Sequence, residues 1–309
     1  MTMIVMCIGW RLLVSTAAGI ALALVAGCGS SGTAAGDGGV DGPSTVAAFY
    51  PLAWVAQRVG GDRVDVDLLT SPGVEPHDLE LTPRQIAAVG EADVLLVESG
   101  FQPAVDDAVD GGALGAVVDA AEVVDLLPAT PGDGDGGGPD PHFWLDPMRM
   151  GALAERVGAA YADADPEQAD AYQQAAEDLS AELETLDEQL RTGLADCRTR
   201  TVVTSHDAFG YLADRYDLEL LPIAGVDPGS EPSPERLAEL ADLVAAEDVT
   251  TIFTETLVSP AVAETLATEA GLDVATLDPI EGLTDDTADE DYLSLMRANL
   301  DALVKANRC

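Results

Sequence analysis

The feature that most constrains the fold is a strand–helix alternation that occurs twice, once on each side of a long helical segment. The predicted strands are the short β-branched and apolar runs Val46–Phe49, Val64–Leu69, Val94–Glu98, Val117–Val124, Thr201–Ser205, Leu218–Ile223, Thr250–Thr254 and Val274–Leu277. The predicted helices between them are Leu52–Gly60, Pro83–Gly90, Gln102–Asp110, Ala208–Tyr216, Pro234–Ala246 and Pro260–Ala270. Such alternation indicates βαβ units. We therefore predict an α/β protein of two lobes, each with a mainly parallel four-stranded sheet flanked by helices.

The segment between the two series, Pro166–Asp196, has the strongest helical pattern in the chain. Asp165 can cap its start, and Pro166 suits a first helical turn. Apolar side chains recur along one face at intervals of three and four residues, at Tyr172, Ala176, Leu179, Leu183, Leu186 and Leu190. A helix of about 30 residues is roughly 45 Å long, so we predict a rigid strut that runs the height of both lobes. A preceding helix over 147–163 is predicted to continue into it with a break before Pro166.

The N-terminus indicates export. Arg11 precedes the apolar run Leu12–Ala26, which is shorter than the roughly 20 residues that a membrane-spanning helix needs. Cys28 follows an Ala-Gly pair, as in a bacterial lipobox, so we predict a signal peptide over 1–27 and acylation of Cys28. An ordinary signal that ends at a free cysteine is the alternative. Residues 28–43 are rich in Gly and Ser and are predicted to form a flexible tether.

Beyond the tether we predict an N-terminal lobe over 44–146, a linking helical strut over 147–196 and a C-terminal lobe over 197–309. The chain has 14 Lys and Arg residues against 56 Asp and Glu residues, a formal net charge of −42. This negative field repels nucleic acid and other anionic ligands, keeps the protein soluble and attracts cations. Nucleic acid is therefore excluded as a partner.

The four cysteines have separate predicted fates. Cys7 lies in the predicted signal and Cys28 is the predicted lipidation site, which leaves Cys197 and Cys309 as one pair in an oxidising compartment. We predict a disulfide between them, with two unpaired thiols as the alternative. Chain-entropy arguments give such a long loop about 4–5 kcal/mol of stabilisation.

Only three histidines occur, His77, His142 and His206, and each lies where a short extended run breaks into a turn. Asp278 follows the last predicted strand in the same way. Ligands bind at the carboxyl ends of parallel strands, so these side chains are predicted to converge between the lobes, with Trp144 adding an apolar wall. Three neutral imidazoles and one carboxylate suit Zn²⁺. A different fourth ligand, or water, is the alternative to Asp278.

Five separated motifs carry a family resemblance. They are Pro76–Pro83 (PHDLELTP), Asp140–Pro147 (DPHFWLDP), Ser205–Tyr211 (SHDAFGY), Glu231–Pro234 (EPSP) and Leu277–Ile280 (LDPI). In this order they resemble the motifs of metal-specific solute-binding proteins of ABC importers, the ZnuA/TroA-like group, also called cluster A-I or cluster 9. The resemblance covers nearly everything from Val46 to Cys309. It implies two α/β lobes joined by one long helix, with a metal at their interface and a membrane permease with its cytoplasmic ATPase as partners.

The resemblance also implies roles for single residues. The three histidines match the family's histidine ligands, and Asp278 matches the carboxylate that manganese members and many zinc members contribute from the second lobe. Glu255 lies in a family-like motif and is predicted to support the site rather than to bind the metal. Many zinc members carry a histidine-rich loop before the second ligand. Here residues 130–139 contain only Asp133 and Asp135 as candidate ligands, which favours a flexible segment.

We therefore predict a monomeric zinc-binding lipoprotein, anchored on the outer face of the cytoplasmic membrane, that captures Zn²⁺ as cargo for an ABC importer. A manganese- or iron-binding protein of the same importer class is the first alternative. A secreted zinc hydrolase, with Asp78 or Glu255 as base, is the enzyme alternative. The chain lacks a His-Glu-x-x-His signature, and a fourth protein ligand leaves no open position for water, so we predict that it is not an enzyme. A surface adhesin is the third alternative.

Overall fold

Two four-stranded parallel sheets organise the chain, and both have the same strand order. The structure is a computed structural model and describes residues 42–129 and 138–309. The first sheet has the order β2-β1-β3-β4 and consists of β1 (Thr45–Ala47), β2 (Val66–Leu68), β3 (Val94–Val97) and β4 (Ala116–Asp119). The second has the order β6-β5-β7-β8 and consists of β5 (Thr201–Thr204), β6 (Glu219–Pro222), β7 (Thr251–Thr254) and β8 (Asp273–Thr276). All strand pairs are parallel, and the predicted α/β class is confirmed.

Helices flank both sheets. Within the described residues they are α1 (Tyr50–Gly60), α2 (Pro83–Glu91), α3 (Pro103–Asp110), α4 (Ala120–Val123), α5 (Pro147–Ala164), α6 (Ala169–Gly193), α7 (Gly210–Tyr216), α8 (Pro234–Ala246), α9 (Ala261–Ala270) and α10 (Tyr292–Asn307). Every predicted strand and helix of the two series is present, with ends that differ by one or two residues, apart from the strand predicted over 117–124. That strand ends at Asp119, because the Asp119 side chain accepts a hydrogen bond from the backbone N–H of Ala121 and starts α4.

The central strands explain why the sequence alternation was so clear. All residues of β1, β3, β5 and β7 are buried, whereas the edge strands β2, β4, β6 and β8 are partly exposed. Helices cover both faces of a parallel sheet, so its inner strands read as continuous apolar runs. These runs end together at one edge of each sheet, where the loops that follow can meet.

The predicted strut is helix α6, which lies between the two sheets. Its predicted apolar stripe is fully buried, and the helix packs against α1 of the first half and α10 of the second. Arg58 of α1 contacts Glu182 at 2.7 Å, and Arg215 of α7 contacts Asp187 at 2.5 Å. At 1.5 Å per residue the helix is about 37 Å long. The predicted single long helix that joins the lobes is confirmed.

Helix α5 does not extend the strut as predicted but packs antiparallel beside it. The hydroxyl of Ser180 in α6 donates to the carbonyl of Gly151 in α5 at 3.4 Å, and Gly158 lies directly against Ala176. The chain reverses because Asp165, which precedes a proline, leaves the helical conformation with φ −132° and ψ 79°, and a short 3-10 turn, Pro166–Gln168, follows. The two helices therefore form a hairpin.

The C-terminal helix α10 was missed by the sequence analysis. Asp291 caps its start with a reciprocal bond to Ser294, and one face is buried along its length. After it, Cys309 forms the predicted disulfide with Cys197. The backbone carbonyl of Asn307 also accepts hydrogen bonds from the backbone N–H groups of Arg198 and Thr199.

Several predictions fall on residues outside the described ranges. They are the signal peptide over 1–27, acylation of Cys28, most of the tether over 28–43 and the loop with Asp133 and Asp135. Within the described ranges, no helix combines the length and the apolar character needed to cross a membrane. The predicted domain boundaries stay predictions.

Candidate metal centre

Four side chains from four separate loops meet between the two sheets. His77 lies in the loop after β2, and His206 follows β5 directly. His142 precedes the 3-10 turn Phe143–Leu145 that leads into α5, and Glu281 lies in the loop between β8 and α10. Each of these four residues offers one ligand atom, and the four atoms lie within 4.8 Å of one another. We call this set the donor cluster.

Four distances within the donor cluster match the edges of a tetrahedral metal site. From Glu281 Oε1 the distances are 3.5 Å to His77 Nε2, 3.2 Å to His142 Nε2 and 3.4 Å to His206 Nε2. The Nε2 atoms of His142 and His206 are 3.4 Å apart. Zn–N and Zn–O distances of about 2.0–2.2 Å place neighbouring corners of a tetrahedron about 3.3–3.6 Å apart. The Glu281 carboxylate is therefore spaced from each imidazole nitrogen as two ligands of one zinc ion would be, and the whole set lies within 4.8 Å.

Two atoms of the cluster are buried without a hydrogen bond, although they lie within ion-pair distance of each other. His77 Nε2 and Glu281 Oε1 make no hydrogen bond within the part of the chain that the structure describes. Unpaired buried polar atoms cost about 1–3 kcal/mol each, so a site of this kind is stabilised when a cation supplies the missing interaction. The donor set itself, three imidazoles and one carboxylate, fits Zn²⁺.

Carboxylates behind two of the histidines fix which ring nitrogen faces the cluster. Asp140 Oδ1 lies 2.8 Å from His142 Nδ1 and also accepts from the His142 backbone N–H at 2.9 Å. Glu255 uses its two oxygens separately, with Oε2 2.6 Å from His206 Nδ1 and Oε1 accepting from the His206 backbone N–H at 3.1 Å. A proton on Nδ1 of each ring leaves the Nε2 lone pair free for a metal.

The electrostatics of the cluster favour a cation. Burial alone would raise the pKa of Glu281, but the three surrounding imidazoles outweigh it and hold that pKa well below its usual range. Burial alone would lower the pKa of His206, but Glu255 and Glu281 raise it to about 10. The pKa of His142 is raised in the same way by Asp140 and Glu281. The carboxylates that raise these two pKa values would also attract a cation to the same place.

An aromatic wall borders the site, as predicted from Trp144. The Phe101 ring packs edge-on against His77 with centroids 4.7 Å apart, and the Trp144 ring lies 5.2 Å from His142. Trp144 donates to the carbonyl of Pro279 at 2.7 Å, which ties the first half to the loop that carries Glu281. Water is thus excluded from one side of the cluster.

Asp278, the expected fourth ligand, is not brought into the donor cluster. Its Oδ1 accepts from the Ile280 backbone N–H at 2.8 Å, and its Oδ2 accepts from the Thr256 hydroxyl at 3.1 Å. The Asn299 side chain binds both the N–H and the carbonyl of Asp278, at 2.8 and 2.6 Å. Asp278 therefore shapes the loop, and the acidic residue three positions later, Glu281, faces the histidines.

The same loop contains a strained residue. Ile280 is buried and has a φ of 60°, in the left-handed region that β-branched residues rarely adopt. The Asp278 carboxylate holds this conformation through the Ile280 N–H. Sequence reasoning chose Asp278 because it follows a predicted strand. It missed Glu281 because the left-handed conformation of Ile280, which directs the loop, cannot be read from the sequence. The available signal was the carboxylate of Glu281 itself within the Leu-Asp-Pro-Ile-Glu run.

The other candidate residues from the sequence lie outside the donor cluster. Glu255 contacts the far side of the His206 ring and is not one of the four clustered donors. Asp78 is exposed. Cys197 and Cys309 are joined to each other. The structure thus brings together three of the four proposed ligands and adds Glu281.

Comparison with known proteins decides the family. Residues 45–306 match the family described as ZnuA, zinc-uptake complex component A, periplasmic. The chain belongs to this family. Its members are binding proteins of zinc uptake systems and not enzymes, and relatives such as ZnuA and AdcA are named for zinc, which does not favour the manganese alternative.

Individual ZnuA-family relatives cover most of the chain. The high-affinity zinc uptake system protein ZnuA of Bacillus subtilis (strain 168) is 33% identical over 296 residues, which is 91% of this chain and 92% of that protein. The zinc-binding lipoprotein AdcA of Streptococcus pneumoniae (strain ATCC BAA-255 / R6) is 34% identical over 84% of this chain. The chain spans only 54% of the length of AdcA.

Solved structures of the ZnuA type share the fold. The Zn(II)-bound ZnuA-like domain of Streptococcus pneumoniae AdcA superposes with a TM-score of 0.74 at 32% identity, covering 87% of this chain and all of that domain. The laminin-binding protein Lmb of Streptococcus agalactiae, described as having adhesin and metal-transporting activity, gives a TM-score of 0.78 at 33% identity. That match covers 86% of this chain and 99% of Lmb. Zinc is the cargo of this family, and the donor cluster is compatible with it.

Proposed function

We propose that this protein captures Zn²⁺ outside the cytoplasmic membrane in the donor cluster and delivers it to the permease of an ABC importer. The single observation that carries the proposal is the convergence of three imidazole nitrogens on one buried carboxylate oxygen, at 3.2–3.5 Å from Glu281 Oε1. The family and its zinc-named relatives support the same metal.

The donor set favours Zn²⁺ over Mn²⁺ as cargo. Imidazole suits Zn²⁺, whereas Mn²⁺ prefers more oxygen ligands and octahedral coordination. The carboxylates of Glu255 and Asp140 are engaged with the Nδ1 atoms of their histidines, so they do not add oxygen ligands at the centre. Glu281 then supplies the single oxygen of a four-coordinate site.

The closed donor set also argues against a hydrolase. A catalytic zinc keeps one position for water, and structural or transported zinc does not need it. Three imidazoles and Glu281 complete the four positions, and His142, His206 and Glu281 are all buried. Glu255, the hydrolase candidate for a general base, is held against His206 Nδ1.

Anchoring and delivery rest on the sequence and the fold. The apolar run before Cys28 and the Gly/Ser-rich stretch after it support a lipid anchor with a flexible tether. Two lobes with the cluster between them support a protein that releases its ion when the lobes separate. We propose a monomer that meets the permease at the outer face of the membrane.

Metal analysis tests the capture step. The domain from Ser44 onward, purified without chelator, should contain one zinc per chain by elemental analysis and should prefer Zn²⁺ to Mn²⁺ and Fe²⁺ in competition titrations. His206→Ala and Glu281→Gln should each weaken zinc binding. The matched control is Asp78→Asn, which removes an exposed carboxylate next to His77. A wild-type domain that binds Mn²⁺ and releases Zn²⁺ would overturn the proposal.

Uptake measurements test delivery and anchoring. Cells that lack this gene should take up less radioactive zinc and should grow poorly only when zinc is scarce. The wild-type gene should restore uptake, His206→Ala should not, and Cys28→Ser should restore less because the protein is no longer held at the membrane. Uptake that is independent of the gene would contradict a role in import.

A further inference from the structure

Among the four side chains of the donor cluster, only that of His77 is more than 1% exposed to solvent. The side chains of His142, His206 and Glu281 are 0%, 1% and 1% exposed. That of His77 is 11% exposed. In this closed arrangement His77 is therefore the candidate ligand nearest to solvent.

Glu75 lies beside His77 on its exposed side. Its side chain is 21% exposed, and its Oε1 is 3.9 Å from His77 Nε2, the same nitrogen that lies 3.5 Å from Glu281 Oε1. His77 Nε2 thus has one carboxylate on the buried side and another on the exposed side. Both Glu75 oxygens also accept from the His77 backbone N–H, at 3.0 and 3.1 Å, so the carboxylate is fixed in this place.

The distance of 3.9 Å gives Glu75 a different role from Glu281. It exceeds the roughly 3.3–3.6 Å between neighbouring corners of a zinc tetrahedron, so Glu75 is not a corner of the buried site. Two ligands can nevertheless share one ion up to about 4.2 Å apart, when the ion lies nearly between them. Glu75 and His77 can therefore hold a cation outside the donor cluster.

We propose that Glu75 is a capture ligand. An incoming hydrated Zn²⁺ first binds the Glu75 carboxylate and His77 Nε2, and then exchanges Glu75 and its waters for Glu281 and the two buried imidazoles. The ion loses its water in steps and never enters the buried space as a fully hydrated cation. This inference rests on the proposed function, because it assigns the entry step to the same site.

Kinetics separate capture from a purely structural role. A residue that stabilises only the entry step changes association and dissociation by the same factor, because both pass through the same transition state, and leaves Kd unchanged. A residue that only holds the His77 loop in place would change Kd through faster dissociation. Glu75→Gln distinguishes the two roles, since its amide oxygen can still accept from the His77 N–H while the charge is lost.

The experiment is stopped-flow mixing of the metal-free protein with Zn²⁺, followed by tryptophan fluorescence, since Trp144 lies 5.2 Å from His142. For Glu75→Gln we expect association and dissociation rate constants that both fall at least fivefold, with Kd within threefold of wild type. The matched control Glu80→Gln removes an exposed carboxylate nearby and should leave both rates within twofold.

Two results would overturn the proposal. One is a Glu75→Gln association rate within twofold of wild type. The other is a higher Kd that comes from faster dissociation alone, which would make Glu75 a structural residue. Failure of the proposed function is a separate result, because the wild-type protein would then bind no zinc in the same titration.

Discussion

Glu255 and Asp140 hold their histidines in different ways, and the difference predicts unequal effects of the two amide substitutions. Glu255 uses one oxygen for His206 Nδ1 and the other for the His206 backbone N–H. In Glu255→Gln one of these positions becomes an NH₂ group. If the NH₂ group faces His206 Nδ1, the ring proton must move to Nε2, where it blocks the lone pair that would bind the metal. If the NH₂ group faces the His206 backbone N–H, two hydrogen-bond donors meet at about 3.1 Å.

Asp140 uses a single oxygen for both contacts with His142. In Asp140→Asn the amide oxygen can keep both bonds, and only the negative charge is lost. Loss of such supporting carboxylates typically costs 10–100-fold in metal affinity. We expect Glu255→Gln to weaken zinc binding by about 10–100-fold, which is about 1.4–2.7 kcal/mol. We expect Asp140→Asn to weaken it by less than about tenfold.

Competition titration with a zinc chelator of known affinity measures both constants. Thermal unfolding of the metal-free variants serves as the control, because a variant with a damaged fold would lose affinity for another reason. The reasoning would be refuted if Asp140→Asn cost as much as Glu255→Gln, or if Glu255→Gln bound zinc within threefold of the wild type.

Three further predictions concern protons, the disulfide and the strut. Zn²⁺ binds unprotonated imidazole, and His206 and His142 have raised pKa values in the metal-free protein, so binding at pH 7–8 should release up to two protons and zinc affinity should fall as pH falls. Calorimetry in two buffers of different ionisation enthalpy counts these protons, and a count of zero would contradict the assignment. Reduction of the Cys197–Cys309 bridge should lower the free energy of unfolding by up to about 4–5 kcal/mol, and with it the unfolding temperature. It should leave the zinc Kd within twofold. An unchanged unfolding temperature would contradict this. Burial opposes ionisation of Asp187, but Arg215 outweighs it and lowers the Asp187 pKa to about 2, so Asp187→Asn should cost about 1.5–3 kcal/mol in urea unfolding at pH 7. Because a depressed carboxyl pKa stabilises the fold only above it, the difference from wild type should shrink between about pH 4 and pH 2. A difference that does not depend on pH would refute the ion-pair explanation.

Much of the fold could be predicted because its signals are local. The inner strands of both sheets are buried on both faces and read as apolar runs, and the stripe from Tyr172 to Leu190 has the period of a buried helix face. The direction of α5 was not predictable from periodicity. Both helices have regular patterns, and the reversal depends on the backbone of Asp165 and on how Gly158 packs against Ala176.

The part of the site that consists of histidines could be predicted, because histidine is rare in this chain. The three histidines could be assigned because His77 and His206 lie in loops that follow parallel strands, which end at one edge, and because no other imidazole competes. The fourth donor depends on the path of a short loop. The left-handed Ile280 and the Asn299 contacts decide that Asp278 caps the loop and Glu281 faces the three histidines, and neither effect leaves a periodic pattern in the sequence.

Anomalous diffraction at the zinc absorption edge, from crystals of the zinc-loaded protein, tests the central claim most directly. We predict one strong peak per chain, about 2.0–2.2 Å from the Nε2 atoms of the three histidines and from a carboxylate oxygen of Glu281. A peak bound to Asp278 in place of Glu281, or a peak that lacks any of the three imidazoles, would contradict the account.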